Sequence, residues 1–313
     1  FGEDRFRIEI AGKSDGGVSF RLGLGLERGG RLRAVVNGKR LERLSEMVGL
    51  IPSTVFTPGD VTLAAGPPAD RRLYIDYTGV QVSPAFVRVL NDFRRALRHR
   101  NALLRDRGAC GGEIDGMRQW NETFAETGAA VARGRREVVD GLSGIARELF
   151  DEFLPGAVLD IAYRCSWDPA GNGGAAALLD ALDRCAEHER RRGFSLEGPQ
   201  CDDIDVAVDG RDLKRYGSQG RRRLAAIVLK LAQATLVMSK RGERPVVLLD
   251  DIFSELDAGT IGRVRELLTD RWQSFITSPR EDDFPRESPE VVRFVVEAGT
   301  IAGGPGGTGP PGR

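Results

Sequence analysis

The chain has 313 residues, with 46 lysines and arginines against 46 aspartates and glutamates, so its formal net charge is zero. That balance excludes a uniformly basic nucleic-acid binder and leaves open a local basic face, because potential depends on where charges sit. A hydrophobic content of 41% fits a globular chain large enough for two domains, and no apolar run approaches the ~18 residues needed to span a membrane.

Residues 1 to about 76 read as β-rich. Arg5 to Ile10 alternates polar with apolar residues, as a half-exposed strand does. Val18 to Leu24 alternates too, with Gly16-Gly17 as the turn between them. Leu32 to Val36 runs into Asn37-Gly38, a strong hairpin signal. The expectation is an antiparallel meander. The one GK[ST] sequence, Gly12-Lys13-Ser14, has Arg7 where a P-loop needs its first glycine and no helix after it. It is read as a hairpin turn.

Residues 84 to 195 read as helical. Phe86, Val89, Leu90, Phe93 and Leu97 make an apolar stripe beside Arg94, Arg95, Arg98 and Arg100. These arginines either touch DNA phosphates or form a solvated helix face. Arg190 to Arg192 and Arg221 to Arg223 carry the same two readings, and no aromatic residues interleave with any of the runs to stack on bases. Gly108 to Gly116 breaks the first helix, a second runs from Gln119 to Phe150, and a strand at Val158 to Arg164 precedes a third helix from Ala175 to Arg192.

Two segments then carry chemistry. Tyr216-Gly217-Ser218-Gln219-Gly220 precedes a helix whose Leu224, Ile227, Val228 and Leu231 share one face. Ser218 is a good N-cap, and the free N–H groups behind it attract an anion such as phosphate. Val246-Val247-Leu248-Leu249 lacks alternation and predicts a strand covered on both faces, ending in Asp250-Asp251. Adjacent acids at a strand end suit Mg²⁺ and a nucleotide, in the form of a Walker B segment. A helix from Ile261 to Leu268 and a strand at Ser274 to Ser278 complete a βαβ unit. Ser254 and Asp257 either cap that helix or face a partner. A closing hairpin is expected around Gly299, followed by a Gly/Pro tail expected to be disordered. Cys110, Cys165, Cys185 and Cys201 are scattered, with no C-x-x-C and only His99 and His188 as histidines. Zinc is not expected, and reduced thiols in a cytoplasmic protein are.

Taken together, Gly198-Pro199, Asp202-Asp203, Ser218-Gln219-Gly220, Leu248 to Asp251 and Ser254 to Asp257 resemble the ABC-type ATPases of the SMC kind, and more narrowly the RecF family. Phe56 to Asp60, Gly66-Pro67, Arg71 to Asp76 and Arg100 to Leu104 extend the resemblance over almost the whole chain. It implies an α/β fold in which a P-loop NTPase lobe is split by an inserted helical lobe. Its expected divisions are 1–80 and 196–301 for the two parts of the ATPase lobe, 81–195 for the insertion and 302–313 for the tail. The family's P-loop, G-x-x-x-x-G-K-[ST], is not found in these 313 residues. With Phe1 in place of an initiator Met, a fragment is the simplest account.

The resemblance also implies roles. Asp250 would hold Mg²⁺ through a water, and Asp251 would orient the attacking water. Ser218, Gln219 and Gly220 would cover ATP bound by a second copy, so that ATP makes a homodimer, with Ser254 and Asp257 at the same interface. Arg94, Arg95 and Arg98 are the DNA-binding candidates. Implied partners are double-stranded and gapped DNA and mediators of the RecR and RecO type. Gln200-Cys201 and Arg221 depart from the family pattern, and Thr277 stands near the place of a switch histidine. Two alternatives stay open: another SMC-like ATPase, and a non-catalytic remnant that binds DNA or a partner without nucleotide.

Overall fold

A computed structural model describes residues 5–27, 29–107, 116–253, 256–269, 271–280, 291–297 and 300–302. The chain opens with four antiparallel strands, β1 (Arg5–Lys13), β2 (Ser19–Glu27), β3 (Arg33–Val36) and β4 (Lys39–Arg40), adjacent in that order. Lys13 closes the first hairpin opposite Ser19, so it belongs to a strand end and no phosphate loop. Asn37 and Gly38 both take positive φ, +49° and +83°. This is the backbone that a two-residue turn between right-twisted strands requires.

After β5 (Ser53–Phe56) the β-rich expectation fails. A short helix α1 (Thr62–Ala65) and then α2 (Pro68–Val82) occupy the stretch through Asp76. Pro68 pre-sets the first turn of α2. The helices α3 (Phe86–Arg107), α4 (Met117–Phe153) and α5 (Gly174–Arg192) form the expected helical block, with β6 (Leu159–Arg164) between the last two. β6 pairs antiparallel with β7 (Asp203–Val208), which pairs with β8 (Arg211–Asp212). A one-turn helix α6 (Leu213–Tyr216) leads into α7 (Gln219–Arg241). Then come β9 (Val246–Asp250), α8 (Ala258–Thr269) and β10 (Ser274–Thr277). The predicted hairpin closes the described chain as β11 (Val295–Glu297) and β12 (Thr300–Ala302). Gly299, Cys110 and the tail from 303 lie outside the described residues.

The core has two parts. One surrounds α7, whose Leu224 to Leu229 are all buried against the parallel sheet β10-β9-β5, α4 and the β6–β7 pair. The other lies between α3, α4 and α5, centred on Phe93, Phe124 and Leu178. Burial in β9 alternates, which corrects the expectation of a strand covered on both faces. Val247 and Leu249 are buried, whereas Leu248 is 37% exposed and its neighbour Phe275 on β10 is 55% exposed. An unbroken apolar run cannot distinguish a doubly covered strand from one with an open apolar face.

Candidate functional site

Strand β9 is the middle strand of its sheet, so its carboxyl end is fixed from both sides. There Asp250 pairs in register with Thr277 of β10. The Thr277 hydroxyl donates to Asp250 Oδ1 at 2.5 Å, and the Asp251 N–H reaches both the carbonyl and the hydroxyl oxygen of Thr277 at 3.2 Å. Asp251 takes a left-handed backbone, φ +47°, which turns the chain sharply off the strand. One threonine therefore orients the Asp250 carboxylate and fixes the backbone of Asp251. The sequence marked that position only as the place of a family switch residue.

The helix expected after Ser218 begins at Gln219, and the Ser218 hydroxyl accepts the Arg221 N–H at 3.3 Å. The far end closes on Gly242 at φ +69°, with Lys240 and Arg241 in the last turn. Ser218, Gln219 and Gly220 are exposed, and a Cβ placed on Gly220 would meet nothing within 4 Å. The space over this helix start is open to a ligand or a second molecule.

Arg223 joins the two segments. It is buried, roughly 7 Å of helix rise beyond Ser218. Its Nη2 donates to the carbonyls of Asp251 and Ile252 at 3.1 and 3.3 Å. At the other side of the sheet, Lys230 donates to the Val55 carbonyl at 2.8 Å and pairs with Asp60 at 2.8 Å. Asp60 itself accepts the Thr57 N–H at 2.6 Å. Helix α7 is thus tied to both ends of the site by buried or half-buried cations.

Asp257 caps α8. It accepts the N–H of Thr260 at 2.9 Å and its hydroxyl at 2.7 Å, and the Thr260 hydroxyl is the main cause holding its carboxyl below the usual range. Ser254 lies outside the described residues. Arg94, Arg95 and Arg98 are exposed on α3. Arg100 is not available to DNA: it is buried, paired with Glu189, and donates to Ser195 Oγ at 2.7 Å and Asn121 Oδ1 at 2.8 Å. Arg223 leaves the surface as well, and Arg222 donates to the Leu213 and Lys214 carbonyls, so the run 221–223 is no basic patch. Trp120 stacks on His99 with ring centroids 4.4 Å apart, an aromatic beside the α3 arginines that sequence adjacency could not reveal.

A second ionic cluster ties α2 to α4 and to the start of β7. Arg71 grips Asp203 with two bonds of 2.7 and 2.8 Å, and Arg135 grips Asp76 with two of 2.8 and 3.0 Å. Arg135 also donates to the Pro199 carbonyl at 2.6 Å. Burial opposes ionisation of Asp203, but the bonds from Arg71 prevail and hold its carboxyl below the usual range. Asp202 goes the other way. Burial raises it to about 6 even though Tyr163 donates to it. Arg135 falls within the apolar stripe of α4, between Val131 and Val138, which was the available sign of a buried, paired cation.

No family model matches the sequence. The DNA replication and repair protein RecF of Prosthecochloris aestuarii is 32% identical over 283 residues, covering 89% of this chain and 76% of that one. RecF of Herpetosiphon aurantiacus is 35% identical over 272 residues, 84% and 69% of the two chains. A solved structure of the recombination mediator protein RecF-ATP of the RecFOR pathway superposes with a TM-score of 0.88 at 26% identity, covering 97% of this chain and 81% of that one. RecF-ATPrS gives 0.86.

Proposed function

The chain belongs to the RecF family of DNA replication and repair proteins, and on that premise we propose an ATP-dependent DNA-binding clamp whose two copies close on nucleotide. The observation that carries this reading is the Arg223 link between an open, Ser218-capped helix start and an acid pair at a parallel strand end. The first suits phosphate and the second suits Mg²⁺. Among the described residues no three His, Cys, Asp or Glu side chains form a metal cluster. Mg²⁺ at nucleotide sites takes one or two carboxylates and completes its shell with water and phosphates, and Asp250 and Asp251 would supply the carboxylates. Bound Mg²⁺ would neutralise charge on the transferring phosphoryl group.

In this reading Asp250, oriented by Thr277, holds the ion through a water. Asp251 orients the attacking water. Ser218, Gln219 and Gly220 face ATP on the opposite copy, and Ser254 and Asp257 lie along the same interface. Arg94, Arg95 and Arg98 face DNA, double-stranded or gapped. RecR and RecO type mediators are the partners that the family's pathway supplies, in the cytoplasm. Among the described residues no helix is long and apolar enough to cross a membrane. The proposed division is 1–80, 81–195, 196–301 and 302–313, with the ionic cluster of Arg71, Arg135 and Asp203 as the joint between its parts.

A second reading is a non-catalytic protein that binds DNA or a partner without nucleotide, and nucleotide affinity separates the two. The chain as given should bind a fluorescent ATP analogue weakly. Micromolar affinity would place the nucleotide site elsewhere. The main reading is tested in a chimera with a relative's P-loop segment joined ahead of Phe1 and carrying Asp251→Asn. It should sediment as a dimer with ATP and a monomer without. Ser218→Arg should abolish the dimer and spare ATP binding by each monomer. Dimers that persist in the Ser218→Arg variant overturn the trans role.

A further inference from the structure

Arg221 is the third residue of α7 after the Ser218 cap, and its N–H reaches the Ser218 hydroxyl at 3.3 Å. An acceptor side chain at this position, glutamate or glutamine, would reach back to the Ser218 N–H and complete the cap. Arginine carries donors only, and its charge lies at the positive end of the helix dipole. On both counts it is a poor residue for stabilising α7, at a position where this chain departs from the family pattern. Arg222 and Arg223 are answered by backbone carbonyls of Leu213, Lys214, Asp251 and Ile252. Arg221 stays exposed, with its Nη1 4.0 Å from Asp209 Oδ2.

Asp209 is fixed where it stands. It turns the chain from β7 to β8 with a left-handed backbone, φ +52°. Its Oδ1 accepts the Val158 N–H at 3.0 Å, and its own N–H donates to the Val158 carbonyl at 2.9 Å. The backbone ahead of β6 thus holds the carboxylate and leaves Oδ2 toward Arg221, which rides on a long side chain. Both side chains are about half exposed, and 4.0 Å is a loose contact. Such a pair is worth little in water. A phosphate group carries more charge and offers a guanidinium two acceptors at once, so it displaces the carboxylate.

We propose that Asp209 is a latch for Arg221. Without nucleotide on the second copy, the carboxylate holds the guanidinium beside the start of α7. On closure Arg221 passes to the phosphates of the ATP bound by that copy and adds a cation to the contacts of Ser218, Gln219 and Gly220. The latch rests on the trans role proposed above for this helix start. It sets how readily ATP joins the two copies, because Asp209 subtracts from closure part of what Arg221 adds. Removing one partner or the other therefore has opposite effects on assembly, which a purely structural ion pair would not show.

The test is sedimentation equilibrium at saturating ATP, in the P-loop chimera carrying Asp251→Asn. Arg221→Gln should raise the dimer dissociation constant about tenfold and leave the melting temperature equal or slightly higher, because glutamine can complete the cap. Arg221→Lys should recover most of the affinity. Asp209→Asn keeps the acceptor for Val158 and should tighten the dimer about threefold. Asp209→Asn with Arg221→Gln should match Arg221→Gln alone. A weaker dimer in Asp209→Asn overturns the latch. So does an equal tightening by Asp209→Asn in the Arg221→Gln background, which would mean that Asp209 merely repels phosphate. A parent that dimerises, with Arg221→Gln at parental affinity, overturns the latch and leaves the trans role of Ser218 standing. A parent that stays monomeric with ATP overturns both.

Discussion

In the helical block, Arg100 lies among Glu189, Ser195 and Asn121, and nearby Arg135 has Asp76 and the Pro199 carbonyl. At the end of the parallel sheet, Asp250 is exposed and held by a single threonine, and Leu248 and Phe275 stand open beside it. One region answers its own charges from within the chain. The other presents charge, a helix N-terminus and apolar surface outward. Internal satisfaction makes a scaffold, and unanswered groups on a rigid frame are what ligand and partner chemistry requires.

The contrast predicts where substitutions cost stability and where they cost function. Arg135→Ala strands Asp76 in the interior and should lower unfolding free energy by about 3–5 kcal/mol, read by urea denaturation. A loss under 1 kcal/mol would mean that the joint is not held by its ion pairs. Asp250→Asn should do the reverse. In the P-loop chimera hydrolysis should fall ~10²-fold while the urea midpoint stays put, because the charge at Asp250 is proposed to hold the metal ion and not the fold. Retained turnover would remove Asp250 from the metal role.

Asp202 sharpens the comparison through pH. Its carboxyl is near 3.8 when unfolded and about 6 when folded, so the native state binds the proton more tightly. Stability from this group is fully present below pH 4 and is lost as pH rises through 6. Asp202→Asn should remove that decline, seen as a flatter melting temperature between pH 4 and 7. An unaltered profile would assign the decline to other groups. The smallest effect of these is Ser218→Ala. Loss of the cap should cost ~1 kcal/mol in thermal melts, far less than what Ser218→Arg does to assembly.

Much of this was legible in the sequence because its signals are local. Asn37-Gly38, the Ser218 cap and the strand ending in Asp250 each depend on a few neighbouring residues, and each lies where it was expected. What failed was long-range. The helix over 68–82 buries Arg71 and Asp76 against residues from other parts of the chain, so its pattern is mixed and resisted reading. Arg100 looked like its neighbours Arg94 and Arg98 until Glu189, 89 positions on, was placed against it. Thr277 and Arg223 matter through what they touch, and nothing in their spacing announces it.

The left-handed turn at Asp251 has a consequence for anyone engineering this protein. A residue with a Cβ in that conformation costs about 1 kcal/mol relative to glycine, so Asp251→Gly should raise the melting temperature slightly. Selection for heat resistance alone would therefore drift toward glycine at the position proposed to orient water. A screen that reads only folding would score the loss of that carboxylate as an improvement.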